Sequence, residues 1–266
     1  GRKLFVNLVG NSNLGGIKAV RYGVTRNQVY AVQIVTPYGD IVDLGSPLKK
    51  CSTGYCMEQL VIGSEGTLGI ITQVTLKLQP LPPYKIDMLA IFHDQMAAIG
   101  VVPQLVKAGI DPTSIEYMDN PNVRTTSEYL EFPGAPHIED GIYVIITIET
   151  FNEDELDMKM EQASDICEAA GAVDVLEADE RIWSMRRNCL ESVSLISKVC
   201  TTDDVVVPVD EMSDMIQYII KTVAKYPFPL RINAHIGDGN LHIVLCKLDL
   251  SDEEWESELS RFTEEV

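Results

Sequence analysis

Residues 231–246 read RINAHIGDGNLHIVLC, and the reading of this segment decides how the rest of the chain is folded. Asp238-Gly239 is a favoured dipeptide for a two-residue type I′ turn, because both central positions need φ > 0. With the turn placed there, Gly237 faces Asn240, Ile236 faces Leu241 and His235 faces His242. Alternation along each strand then sorts the hairpin into two faces. Ile232, Ala234, Ile236, Leu241, Ile243 and Leu245 make an apolar face expected to pack on helices. Arg231, Asn233 and His235 share the other face with Asn240, His242 and Val244. Opposed residues on one face have Cβ atoms about 4.5–5.5 Å apart. Two imidazoles so placed can aim nitrogens at one ion, at about 2.0–2.1 Å each if it is zinc. The alternative is a pair of sheet histidines with no ligand. The chain holds only four histidines, and two as cross-strand neighbours favour the metal reading. A third ligand, by expectation a carboxylate, must come from elsewhere.

Outward from the hairpin, the chain alternates strands with helices. Downstream, Ser251 and Glu254 form a capping box that opens a last helix. Upstream, the pattern predicts strands at 86–92, 141–149, 173–177 and 205–208, and helices at 94–108, 153–170, 179–197 and 212–224. The helices rest on apolar residues three and four apart, such as Leu156, Met160, Ala163 and Ile166. This order predicts an antiparallel sheet layered with helices, an α+β domain. Pro80, Pro82 and Pro83 fit neither a helix nor a central strand, and mark a domain boundary. Ahead of it, strands are expected at 29–36 and 41–44. A half-buried strand at 67–78 follows, with Ile71, Val74, Leu76 and Leu78 inward.

The 266 residues are 45% hydrophobic, enough for a large core, which rules out disorder as the main state. No run of about 18 apolar residues exists, so no membrane span is expected. The net charge of −19 opposes binding to nucleic acid or anionic lipid, but leaves room for small anions in a local pocket. Six cysteines without a CxxC pair suggest neither a zinc ribbon nor an iron–sulfur cluster. They are expected to be reduced, mostly buried and cytoplasmic. The start, GRKLFVNLVG, lacks a signal peptide and an initiating Met, and the finish, WESELSRFTEEV, stops inside a helical pattern. A piece of a longer protein is expected.

The segment AHIGDGNLH resembles the histidine motif of FAD-linked oxidases of the vanillyl-alcohol-oxidase superfamily, nearest to the flavoprotein subunits of D-lactate dehydrogenase and glycolate oxidase. GSEGTLGIIT (63–72) is similar to the FAD-contacting strand–turn of that fold, and GGIKAVRYGVTRNQV (15–29) to the loop before it. ERIWSMRRN (180–188) resembles the helix that meets the substrate carboxylate, and VVVPVDEM (205–212) the strand after it. Independently, Gly63, Gly66 and Gly69 permit close backbone approach to a pyrophosphate, and Trp183 shares a helix face with Arg186. An Arg beside an aromatic suits bidentate carboxylate binding.

The resemblance implies residues 1–80 as the second lobe of a two-lobe FAD-binding domain, and residues 84–266 as an α+β cap domain. FAD would contact Gly15, Gly16, Gly63, Ser64, Glu65, Gly66, Thr67, Gly69 and Ile71. His235 and His242 would hold zinc, iron or manganese, and Arg186 would clamp a 2-hydroxy acid. An electron-transfer flavoprotein would serve as acceptor. The first FAD lobe would precede residue 1. The third metal ligand, a Glu followed by a catalytic His, would lie beyond Val266, so the chain alone is expected to bind FAD poorly. Asn7-Leu8-Val9 departs from the Gly-Gly-Asn of relatives ahead of Asn13-Leu14-Gly15-Gly16. Leu190, Thr202 and Val244 stand where relatives acting on 2-hydroxyglutarate place polar partners, although Lys198 could swing in. A short acid such as D-lactate or glycolate is therefore expected. The rival readings are a non-catalytic fragment and a same-fold oxidase of another alcohol.

Overall fold

A computed structural model describes Asn13 and residues 15–266. Asn7, Leu8, Val9 and Leu14 lie outside the described residues. The chain divides into two compact units, Gly1–Leu81 and Pro82–Val266, with the break inside the proline cluster.

The first unit holds helix α1 (Ala19–Tyr22), strands β1 (Val29–Val35) and β2 (Ile41–Gly45), helix α2 (Met57–Val61) and strand β3 (Ile70–Leu76). The strands form an antiparallel sheet in the order β2-β1-β3. Its core is small: Val29, Val32, Ile34, Val61, Ile62 and Ile71. β3 departs from simple alternation because Gln33 pairs with Gln73 while Ile34 pairs with Ile71. That bulge at Thr72 turns Ile71 and Val74 to the same side. Leu76 and Leu78, expected inward, are 56% and 92% exposed.

The second unit contains β4 (Tyr84–Phe92), α3 (Gln95–Lys107), β5 (Ser114–Met118), α4 (Asn120–Tyr129), β6 (Ile142–Thr150), α5 (Glu153–Ala169) and β7 (Asp174–Glu177). It continues with α6 (Glu180–Arg187), α7 (Cys189–Ser192), β8 (Cys200–Val206), α8 (Met212–Val223), β9 (Leu230–His235), β10 (Asn240–Cys246) and α9 (Asp252–Glu265). Seven antiparallel strands run in the order β7-β4-β6-β5-β9-β10-β8. Alternation along β4 feeds two cores: Met88, Ala90 and Phe92 pack under residues of α3, α5, α8 and α9. Leu89 and Ile91 join Ile182, Trp183 and Met185 of α6 on the other face. Each buried side chain of this size contributes roughly 1.5–3 kcal/mol. The hairpin's apolar residues Ile232, Ala234, Leu241, Ile243 and Leu245 enter the first core, as the alternation predicts.

Four elements differ from the pattern. The expected helix at 179–197 breaks at Asn188, whose Nδ2 donates to the Ser184 carbonyl at 2.8 Å, followed by a short turn of α7. β8 starts five residues early, because as a sheet edge it tolerates the polar run Thr201–Asp204. β5 and α4 fall where no element is expected: every residue of β5 is buried, so no alternation shows. α4 buries Asn122, Thr125, Thr126 and Ser127 in place of an apolar stripe.

Candidate functional site

β5, β9, β10 and β8 are neighbours in the sheet, and one of their faces carries polar groups. The hairpin connection is not the two-residue turn expected from Asp238-Gly239; residues 236–239 form it, and β9 resumes as β10 at Asn240. Tertiary contacts impose the longer loop. Ile236 is fully buried in the helix-covered core. The Gly237 N–H reaches the Ile115 carbonyl at 3.3 Å, and the Val207 N–H donates to the Gly239 carbonyl at 3.0 Å. The register shifts by two residues, so His235 opposes Asn240 and His242 opposes Asn233. An even shift preserves the faces. The two imidazoles are therefore diagonal rather than direct neighbours, with ring centroids 5.0 Å apart and planes at 84°.

Each imidazole is braced by a carboxylate. His235 Nδ1 lies 2.8 Å from both oxygens of Glu116 on β5. His242 Nδ1 bonds to Asp204, its register partner on β8. Both rings thus keep Nε2 for another partner. Burial holds the His242 imidazole below its usual value in spite of Asp204, so it is neutral at neutral pH. Burial likewise raises Asp238, in the loop beside His235.

Arg186 completes the array. Helix α6 is started by Asp179, whose carboxylate accepts from the N–H groups of Arg181 (2.9 Å) and Ile182 (3.1 Å). This aims Trp183 and Arg186 into the sheet face, each 8% exposed. Arg186 Nη2 sits 2.7 Å from Glu116 Oε2. Arg186 Nε and Trp183 Nε1 are buried donors without a hydrogen-bond partner. Buried donors left unmatched are costly, and an anion facing them recovers that cost. Glu116 itself, with its side chain fully buried, joins the arginine to the histidine. It was not among the sequence candidates. The signal available was an acid inside the otherwise apolar run SIEYM.

The positions read for substrate size separate. Val244 is buried with Val193 and Cys246, and Thr202 opposes it on β8. Leu190 is half exposed. Arg231 opposes Val244 on β9, a charge the size argument left out, but its Nη1 donates to the Pro121 carbonyl. The cysteines divide evenly: Cys167, Cys189 and Cys246 are buried, while Cys51, Cys56 and Cys200 are exposed, which corrects the expectation that most are buried. All are free thiols. Burial pushes Cys189, near Arg186, up to about 12.

In the first unit, Asn13 Oδ1 accepts from the Arg26 N–H at 2.9 Å, and Arg26 Nη2 donates to the Ile62 carbonyl at 2.7 Å. Arg26 thereby ties the Asn13 segment to the 62–66 turn. Gly63 and Gly66 have φ near +88° and +81°. Gly15 and Gly16 are exposed nearby in sequence, and Ser64, Glu65 and Thr67 form the turn, with Thr67 N–H on the Ser64 carbonyl at 3.0 Å. Gly69 lies against the Val35 carbonyl, where a Cβ would sit at 2.9 Å. Ile71 is fully buried in the core and paired with Ile34, so it offers no exposed surface to a ligand. Arg26 Nε and Ser64 Oγ are buried and unpartnered. Free donors beside glycine turns fit a phosphate-bearing cofactor such as FAD.

Comparison with known proteins shows the family. The family described as FAD linked oxidases, C-terminal domain, matches residues 81–266. The chain is 36% identical to D-lactate dehydrogenase of Anaerostipes hadrus, over 98% of this chain and 58% of that protein. It is 33% identical to glycolate oxidase subunit GlcD of Bacillus subtilis, over 92% of this chain and 52% of that protein. The chain thus spans about half the length of the curated relatives it matches. Among solved structures, alkyldihydroxyacetonephosphate synthase superposes with a TM-score of 0.72 at 16% identity, covering 98% of this chain and 52% of that one, which shows a shared fold. The sequence match over the whole second unit, on the α+β architecture expected of it, means that the chain belongs to the FAD-linked oxidases.

Proposed function

We propose that the protein containing this chain oxidises a short D-2-hydroxy acid, D-lactate or glycolate-like, to the 2-oxo acid. The observation that carries this reading is the buried Trp183–Arg186–Glu116–His235 array, which presents unmatched donors beside a carboxylate-braced imidazole pair. Arg186 Nε and Trp183 Nε1 receive the substrate carboxylate. Glu116 holds Arg186 and His235 in fixed relation, and Asp204 sets the ring of His242. A carboxylate held by Arg186 and Trp183 would bring the α-carbon and hydroxyl toward the histidine face.

FAD, for which the turns at 15–16 and 63–69 are suited, supplies when bound a two-electron acceptor for hydride. A divalent metal, if bound, would be held by Nε2 of His235 and His242 and would supply a Lewis acid for the α-hydroxyl; the braced Nδ1 atoms fit this role, and two donors among the described residues leave further ligands to other groups. The first unit is read as the second lobe of the FAD domain and the second unit as the cap. The acceptor of the electrons is read as an electron-transfer flavoprotein. The free thiols suit the cytoplasm. Among the described residues no helix is long and apolar enough to cross a membrane.

The size reading rests on Val244, Thr202 and Leu190, none of which is charged, with one N–H of the Arg231 guanidinium donated to the Pro121 carbonyl. A buried carboxylate without a partner costs a few kcal/mol, on the order of a hundredfold or more in kcat/KM. Anaerobic mixing of the flavin-loaded protein with D-lactate, glycolate and D-2-hydroxyglutarate tests both points. Bleaching of the flavin by the short acids is expected. No bleaching by any of them defeats the reaction, and equal efficiency with D-2-hydroxyglutarate defeats the size argument.

A further inference from the structure

The other two histidines lie together as well. His93 follows β4, His137 and Asp140 sit in the loop before β6, and Asp174 opens β7. β7, β4 and β6 are adjacent, and these residues fall at the same end of them. We infer that His93, His137, Asp140 and Asp174 form a binding site for a divalent ion of the zinc type, separate from the site above.

His93 Nε2 lies 3.4 Å from Asp140 Oδ1, and His137 Nε2 lies 3.6 Å from Asp174 Oδ2. Ligand atoms of His93, His137 and Asp140 are all within 4.8 Å of one another, the one His/Cys/Asp/Glu group of this kind among the described residues. A tetrahedral zinc with bonds of about 2.0–2.1 Å sets its ligand atoms about 3.3–3.4 Å apart. Two of the separations are already close to that value. The rings stand 5.8 Å apart and tilted by 59°, so they converge without stacking. Two imidazoles and two carboxylates are a common zinc donor set, and the carboxylates balance the charge of the ion.

The loop is held as if for a purpose beyond connection. Asn120 Nδ2 donates to the carbonyls of Ile138 and Gly141, both at 3.1 Å. The Gly141 N–H donates to the His137 carbonyl at 2.7 Å, and the Tyr143 hydroxyl to the Pro136 carbonyl. His137 has φ of 46°, a left-handed conformation uncommon for a residue with a side chain. Gly141 is packed so closely that a Cβ would come within 2.6 Å of the His137 carbonyl. Backbone held this way is kept where surrounding contacts over-determine it. The ion would clip three strand ends together across the surface.

The test removes the other histidine pair first. Protein carrying H235A and H242A is stripped with chelator, then titrated with Zn2+ by calorimetry and with Co2+ by visible spectroscopy. Saturable zinc binding and the intense visible bands of four-coordinate cobalt are expected, together with a thermal midpoint that rises with zinc. Adding H137A should weaken zinc binding by about tenfold or more and abolish the bands, and D174N should weaken it less. All four side chains are at least one-third exposed, so these variants should fold. No saturable binding up to about 100 micromolar zinc, or binding that H137A leaves unchanged, overturns the inference.

Discussion

The two histidine pairs of this chain meet their neighbours in opposite ways. His235 and His242 lie on a sheet face, partly buried, with Nδ1 committed to a carboxylate and Nε2 left over. His93 and His137 lie at strand ends, more exposed, and it is their Nε2 atoms that approach carboxylates. In the inner pair the carboxylates orient the rings; in the outer pair they sit where a ligand would. The inner pair borders a buried cation with unmatched donors, whereas the outer pair borders solvent. The inner arrangement is therefore suited to chemistry on an anion, with its Nε2 atoms left for a metal, and the outer one to holding an ion without further chemistry.

The largest expected effect comes from removing the group that makes the inner site different. Arg186→Ala leaves Glu116 buried without its cation, at a cost of about 3–5 kcal/mol. Chemical denaturation should show that loss, and kcat/KM for D-lactate should fall by about a hundredfold or more. Zinc binding by the outer pair should be unchanged; equal damage to both sites would erase the contrast.

A smaller effect is expected at Asp204. Replacing it by Asn keeps the shape but weakens the hold on His242, and should reduce metal affinity or kcat by about 10–100-fold with little change in stability. Asp204 is 65% exposed, so a stability loss matching that of Arg186→Ala would contradict its assigned part.

Smallest is a pH effect. Burial lowers the folded pKa of His242 from its ordinary 6.5. Below 6.5 the unfolded chain takes up the proton first, so stability contributed here is lost as pH falls through 6.5 toward the folded value. Urea midpoints measured at about pH 7 and about pH 5.5 should differ less in H242Q than in the parent protein. An unchanged difference would place the burial effect elsewhere.

What could be read in advance was what local chemistry controls. The capping box at Ser251, with its Glu254, stands as expected, and so do the two faces of the hairpin, because alternation survives an even register shift. Asp238-Gly239 misled because its local turn preference was overridden by long-range bonds to Ile115 and Val207 and by burial of Ile236. Arg186 was found through its neighbour Trp183 and the family motif. Glu116 was not, since a strand buried on both faces has no period to reveal it, and its function depends on two partners 70 and 119 residues away. Arg231 was hidden for a related reason: facing Val244 is a property of register, not of composition.

Gly239 has a consequence for how the protein can vary. It has φ of +84°, and a Cβ there would land on the Val207 carbonyl oxygen, the same residue whose N–H it accepts. Any other amino acid would lift the loop from the edge strand and disturb the two strands that present His235 and His242. A saturation-mutagenesis survey scored only by survival would therefore rank Gly239 with the chemically active residues, although it lacks a side chain to act with. Pairing such a survey with an abundance readout should separate them: variants at 239 would vanish from the soluble pool, while His242 variants would persist there without turnover.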